Sequence, residues 1–160
     1  MSERITVEEV TRANWREALT LAVAPEQQRF VAGVAPIAAL GLAKAYIRPG
    51  ELVWTPYAFI AHETDTRQMV GFAMLATAPE PADAMYLLHF FIDQRFQGRG
   101  YGAESLRSLI VFAQVKYPRR RALALTVHPE NVHAQRLYAN AGFCPTGELV
   151  DGEPAYRLVW

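Results

Sequence analysis

Six consecutive residues, Gln97-Gly98-Arg99-Gly100-Tyr101-Gly102, carry the first sign of chemistry in this chain. The apolar run Met85 to Ile92 leads towards them, and a helix-like run from Ala103 leads away. A strand, a glycine-rich turn and a helix start in succession converge backbone N–H groups on an anion. The alternating Gly98, Gly100 and Gly102 let backbone approach a bulky ligand and adopt positive φ. Arg99 adds a cation, so the expected guest is a phosphate or pyrophosphate.

Two common phosphate loops do not fit. The Rossmann fingerprint needs G-x-G-x-x-G and an acidic residue closing a second strand, whereas the spacing here is G-x-G-x-G. A Walker loop needs a Lys-Ser or Lys-Thr pair, which the chain lacks.

A second constellation lies in Thr126 to Phe143, TVHPENVHAQRLYANAGF. A strand ends at Val127, Pro129 turns the chain, and the Asn131 side chain can cap the helix that follows. Ala134, Leu137, Tyr138 and Ala141 fall on one helical face, so Tyr138 points at the sheet about two turns in. On pattern alone an aromatic there is a core residue.

Together the two stretches resemble the GNAT superfamily of N-acetyltransferases. Gln97 to Gly102 fits the acetyl-CoA signature [QR]-x-x-G-x-[GA]. Pro129, Glu130, Asn131, Ala134, Leu137, Tyr138, Gly142 and Phe143 fit the segment in which an Asn contacts the cofactor and a Tyr protonates the departing thiolate. The resemblance implies acetyl transfer from acetyl-CoA to an amine by direct attack, with no metal. Phe91 and Ile92 would bind the pantetheine arm across a gap from Leu125 to Val127, Gln97 to Gly102 the pyrophosphate, and Asn131 and Ala134 would complete the cofactor site. Tyr138 would be the general acid. GELVDGEPAYRLVW, APEQQRFVA and the F-x-I-D run look like the spermine/spermidine acetyltransferase branch, which makes a polyamine the first acceptor to consider. The chain departs from that branch at His89, where an Arg is expected, and at Lys44, where an acid is expected.

The acceptor amine must lose a proton before it attacks. An alkylamine of pKa near 10.4 is neutral in only about one part in 10³ at pH 7, a penalty of roughly 4 kcal/mol. His89 has the right chemistry for a base, but strand parity sets it on the face opposite Tyr86 and Leu88 unless a bulge shifts the alternation. If Tyr86 and Leu88 face the pocket, Tyr86 meets the substrate and water relays protons. Glu26, before a helix start, is a candidate contact for a cationic acceptor, although dipole reasons alone put acids there. Trp54, Tyr57 and Phe59 suit the acceptor site or the core equally. His128 and His133 are five apart, the wrong spacing for two metal ligands on one helix face. Arg119-Arg120-Arg121 reads as a solvated turn, and Cys144 as structural.

The elements that must position these groups read, in order, β, α, α, β, β, β, α, β, α, β, β: a mixed α/β sheet with helices on its faces and splayed central strands. Arg4 to Val10 suits a first strand, and Asn14 with Glu17 a capping box. Glu26 to Ile47 suggests two short helices. Pro56–His62 and Gln68–Thr77 read as a hairpin, and the near-continuous apolar run Met85–Ile92 as a strand buried on both faces. Asp151-Gly152 predicts a closing hairpin.

With 160 residues, 51% apolar and 20% charged, the chain suits one domain spanning 1–160 and not a disordered segment. Sixteen basic residues balance sixteen acidic ones, so nothing pulls the whole chain towards nucleic acid or membrane. The charged N-terminus MSERITVEEV is unlike a signal peptide, and one cysteine allows no internal disulfide, both expected of a cytoplasmic protein. Exposed strand edges offer a route to a homodimer. The competing expectation is an acyl-CoA-binding module on the same fold without turnover.

Overall fold

The computed structural model describes residues 4–160; Met1 to Glu3, the start of the charged N-terminal run, lie outside the described residues. Seven strands form one mixed sheet: β1 (Ile5–Glu9), β2 (Val53–Glu63), β3 (Thr66–Thr77), β4 (Ala84–Ile92), β5 (Ala122–Thr126), β6 (Cys144–Val150) and β7 (Glu153–Val159). Their order across the sheet is β1-β2-β3-β4-β5-β7-β6, antiparallel throughout except for β4 beside β5. The helices are α1 (Trp15–Ala18), α2 (Gln28–Val31), α3 (Ile37–Ile47), α4 (Tyr101–Lys116) and α5 (Val132–Asn140).

The sheet is covered on both sides, and the strand alternation shows it. Tyr57, Phe59, Val70, Ala73 and Leu75 join the core that includes Leu106 and Leu109 of α4 and Tyr138 of α5. Ala58, Ile60, Phe72, Met74 and Ala76 join the opposite core, with Ala18, Ile37 and Ala38 of the early helices. Strands buried on both faces carry apolar residues at successive positions, which is why β3 looks almost uninterrupted in sequence; β4, expected to be the same, buries Met85, Leu87, Phe91 and Ile92 but leaves Tyr86 exposed. In α4 the buried Leu106, Leu109 and Ala113 recur at helical spacing, and the chain leaves the helix just before Pro118. Among the described residues no helix is long and apolar enough to cross a membrane.

Three local expectations are corrected. The Asn14–Glu17 capping box does not form: Asn14 Oδ1 instead accepts the Thr11 N–H (2.8 Å), and its amide donates to the Glu9 carbonyl. The helix it starts is correspondingly a single turn, and Glu26–Gln27 belong to a 3-10 turn preceding α2. Arg120 is not solvated: it is 8% exposed and donates to the Ala78 and Ala82 carbonyls, tying down the loop between β3 and β4.

Candidate active site

β4 and β5 pair only from Ala84–Ala122 to Tyr86–Ala124. Beyond that point β4 stays joined to β3, and β5 to β7, but the two no longer pair with each other. A cleft of about 850 Å³ opens there, lined by Leu87 to Ile92 on one wall and by Thr126 to His128 and Glu153 on the other. Its size suits an extended small molecule. A bulge in β4 accompanies the opening: between Leu88 opposite Met74 and Phe91 opposite Phe72, His89 and Phe90 together face one residue, Ala73. His89 takes φ of +53°, the left-handed region that a non-glycine residue enters only under constraint.

At one end of the cleft lies the glycine-rich loop. Asp93, 1% exposed, fastens it: Oδ2 accepts the Ala22 N–H, while Oδ1 accepts the N–H and Nε–H of Arg95. Burial pushes this carboxyl up, but those hydrogen bonds outweigh it and hold it below the usual carboxylate range. Gln97 donates to the Ile92 carbonyl and exchanges amide hydrogen bonds with Gln27. Gly98 and Gly100 have φ of +76° and +83°, so these two are the glycines the turn requires; Gly102 has room for a Cβ at ordinary contact with Ile92. No side chain caps the start of α4, a sixteen-residue helix whose first-turn N–H groups border the cleft. An uncapped N-terminus behind an unfilled glycine cradle fits a diphosphate. Arg99, in contrast, is exposed, lies over the Phe96 ring and does not line the cleft.

Tyr138 forms part of the cleft wall from α5. Its ring packs edge-on against Phe90 and Phe143, with centroids 6.2 and 5.6 Å away, and its hydroxyl has no hydrogen-bond partner among the described residues. Burial raises its pKa well above the ordinary phenol value, so it stays protonated at neutral pH. Asn131 is the cap of α5, its Oδ1 accepting the Ala134 N–H at 3.2 Å, and both residues border the cleft. Phe91 and Ile92 also line it, although both side chains are largely buried.

The bulge turns His89 towards the early helices, the same side as Leu88, so simple strand parity misplaces it. Its two ring nitrogens are both engaged. Lys44 Nζ, which as an ammonium can only donate, sits 2.8 Å from Nε2, leaving Nδ1 to donate to the Val31 carbonyl at 2.8 Å. Burial and then the nearby Lys44 lower the His89 pKa, while burial lowers that of Lys44. Glu26 and Tyr86 are exposed and neither lines the cleft: Glu26 sits on the outside of its turn, and Tyr86 lies where β4 is still paired on both sides. Trp54, Tyr57 and Phe59 are core residues. Among the described residues no three metal-ligating side chains cluster, and Cys144 is exposed.

Sequence reasoning missed two acids here. Asp93 lies four residues before the glycine-rich loop, and only the fold reveals its tie to Ala22, 71 residues away. Glu153, immediately after the Asp151-Gly152 turn, faces the cleft and accepts the Thr126 hydroxyl at 2.8 Å.

Comparison with known proteins agrees with this geometry. The curated spermine/spermidine N(1)-acetyltransferase of Bacillus subtilis (strain 168) is 40% identical over 86 residues, covering 51% of this chain and 56% of that protein. A probable spermine N(1)-acetyltransferase of Bacillus subtilis subsp. natto (strain BEST195) is 38% identical over the same shares. The chain thus spans about half the length of the curated relatives it matches. Among solved structures, a spermidine N-acetyltransferase from Vibrio cholerae, in complex with CoA and spermine, superposes with a TM-score of 0.72 at 16% identity, covering 98% of this chain and 94% of that one. The aminoglycoside acetyltransferase AAC(6')-Ib in complex with coenzyme A gives 0.73 at 18%, covering 97% and 94%. At such identities the likeness is one of fold. The sequence model of the acetyltransferase (GNAT) family matches residues 40–143, most of the chain from α3 to the end of the α5 turn, and the protein belongs to that family.

Proposed function

We propose that the chain, acting as one domain, is an acetyl-CoA-dependent N-acetyltransferase for a small primary amine, with a polyamine as the first candidate acceptor. The observation that carries this reading is the unpaired gap between β4 and β5, which leads directly to the uncapped start of α4. Gln97 to Gly102 would hold the diphosphate, and the edge of β4 at Phe91 and Ile92, which does not pair with β5 and whose Ile92 carbonyl accepts from Gln97, would bind the arm that follows it. When bound, acetyl-CoA supplies an acyl thioester, and the thiolate released on transfer needs a proton. Tyr138 suits that role: it lines the cleft, burial keeps its hydroxyl protonated, and that hydroxyl has no hydrogen-bond partner among the described residues. Phe90 and Phe143 hold the ring and keep water from its edge. The curated polyamine acetyltransferases support an amine acceptor, and His89 is better placed to shape the wall than to take a proton.

The test is to mix the protein with acetyl-CoA and a panel of spermidine, spermine, diamines, amino acids and aminoglycosides, following free thiol. Thiol release that depends on the amine supports the reading. Thermal stabilisation by acetyl-CoA with no release across the panel would instead favour a binding module without turnover, a reading to which the doubly engaged His89 lends weight.

A further inference from the structure

Two carboxylates line the cleft, and their surroundings differ. Glu130 is met by Arg29, whose Nη1 lies 2.6 Å from Oε2. Glu153 has no such cation among the described residues. It is partly buried at the first residue of β7, where the Val127 N–H bonds to the Pro154 carbonyl (3.1 Å) and fixes the strand beside the end of β5. The Thr126 hydroxyl donates to Oε2 at 2.8 Å, which orients the carboxylate and leaves Oε1 free for a ligand. The facing wall from Leu87 to Ile92 carries no carboxylate, and behind it, outside the cleft lining, Lys44 sits against His89 and the Trp54 ring with no carboxylate partner among the described residues. The carboxylate without a cation therefore lies on the β5–β7 side of the cleft, and a cationic molecule entering it is drawn there.

We propose that Glu153 is the specificity contact for the acceptor, and that it holds a second ammonium group rather than the amine that reacts. The proposal rests on the acetyltransferase reading above. The chemistry separates the two roles. An attacking amine has to be neutral, while a carboxylate binds best to a group that stays charged throughout. The acceptor class that follows is a diamine or longer polyamine, in preference to a monoamine of equal length.

The test compares 1,4-diaminobutane with butylamine as acceptors of the full chain, by acetyl-CoA-dependent thiol release. The expected wild-type preference for the diamine is at least tenfold in kcat/KM. Glu153→Gln collapses it to near unity through KM, Glu153→Asp recovers part of it, and Thr126→Val raises the diamine KM severalfold by freeing the carboxylate. A Glu153→Gln enzyme that keeps the preference, or loses kcat alone on both amines, overturns the proposal. Calorimetric binding of 1,4-diaminobutane to the CoA-loaded protein reads the same contact without turnover. Binding by wild type that Glu153→Gln abolishes, with CoA affinity retained, upholds the anchor even if no amine is acetylated, an outcome that would overturn only the acetyltransferase reading. Equal binding by both proteins, or no binding by wild type, overturns the anchor.

Discussion

At the scale of single residues, Tyr138 and His89 sit on the same cleft in opposite situations. The Tyr138 ring is held by two aromatic neighbours while its hydroxyl is free, so Tyr138→Phe removes only the proton donor. Turnover is expected to fall about 10²- to 10⁴-fold, the usual range for a lost general acid, with melting temperature and acetyl-CoA affinity near wild type. Wild-type turnover in that variant would rule Tyr138 out as the acid. His89 is committed at both nitrogens and kept neutral by burial and by Lys44. Because its folded pKa lies below the unfolded value of about 6.5, the unfolded chain binds the extra proton first. His89 is therefore neutral in both states above that pH and costs nothing there; as pH falls through about 6.5 towards the folded pKa, stability is lost. Thermal melts at pH 7.5 and pH 5 should show the drop, and His89→Gln should flatten it. An unchanged slope in the variant would mean that other groups carry the acid sensitivity.

At the scale of elements, the end of β4 just beyond its bulge is seated against β3 by a close approach that one glycine permits. Gly71 pairs with Ile92, and a Cβ there would fall 2.6 Å from the Phe91 carbonyl oxygen and 2.8 Å from Ile92 Cδ1. The first of these is backbone, which cannot swing away as a side-chain tip could. Gly71→Ala is thus expected to cost about 1–3 kcal/mol of stability and to lower acetyl-CoA affinity by displacing the strand that lines the cleft, measured by denaturant unfolding and calorimetry. A variant with wild-type stability would show that β4 shifts freely. This dependence explains what was and was not legible beforehand. Strands, helices and the Asp151-Gly152 hairpin follow from periodicity and turn chemistry local to each segment, and Asn131 at the start of α5 caps as its residue type suggests. The direction of the His89 side chain follows from the register shift opposite Ala73 of the neighbouring strand, and so escaped parity counting. Glu153 meets Thr126 only because β7 returns beside β5, and Arg120 is buried only because the β3–β4 loop folds over it. Charged residues read as solvated until such long-range pairing is known.

At the scale of the molecule, the sheet is two parts, β1–β4 and β5–β7, joined through just three residue pairs at the closed end of the gap. Among the described residues the gap is spanned by side chains rather than by strand pairing: the exposed Arg29–Glu130 ion pair, the tilted contact of Phe30 with His128 (centroids 5.1 Å apart) and the edge-on contact of Phe90 with Tyr138; an exposed ion pair of this kind contributes at most about 1 kcal/mol. A ligand that fills the gap would touch both parts and so link them. Binding to the folded state alone stabilises it by about 2.7 kcal/mol at a hundred times Kd, which for a chain of this length corresponds to roughly 5–11 °C in Tm. CoA at that concentration should give such a shift and should slow amide exchange in β4 and β5 together. Gly98→Asp provides the control. The left-handed φ at this position strains any other residue, Asp less than most, but nothing lies within 4 Å of its Cβ, so the fold should survive at a somewhat lower Tm while a carboxylate occupies the anion cradle. Loss of the CoA shift in Gly98→Asp, with a cooperative unliganded melt retained, would tie the ligand to the start of α4; an undiminished shift would mean that CoA binds elsewhere and that the gap between the two parts of the sheet serves another purpose.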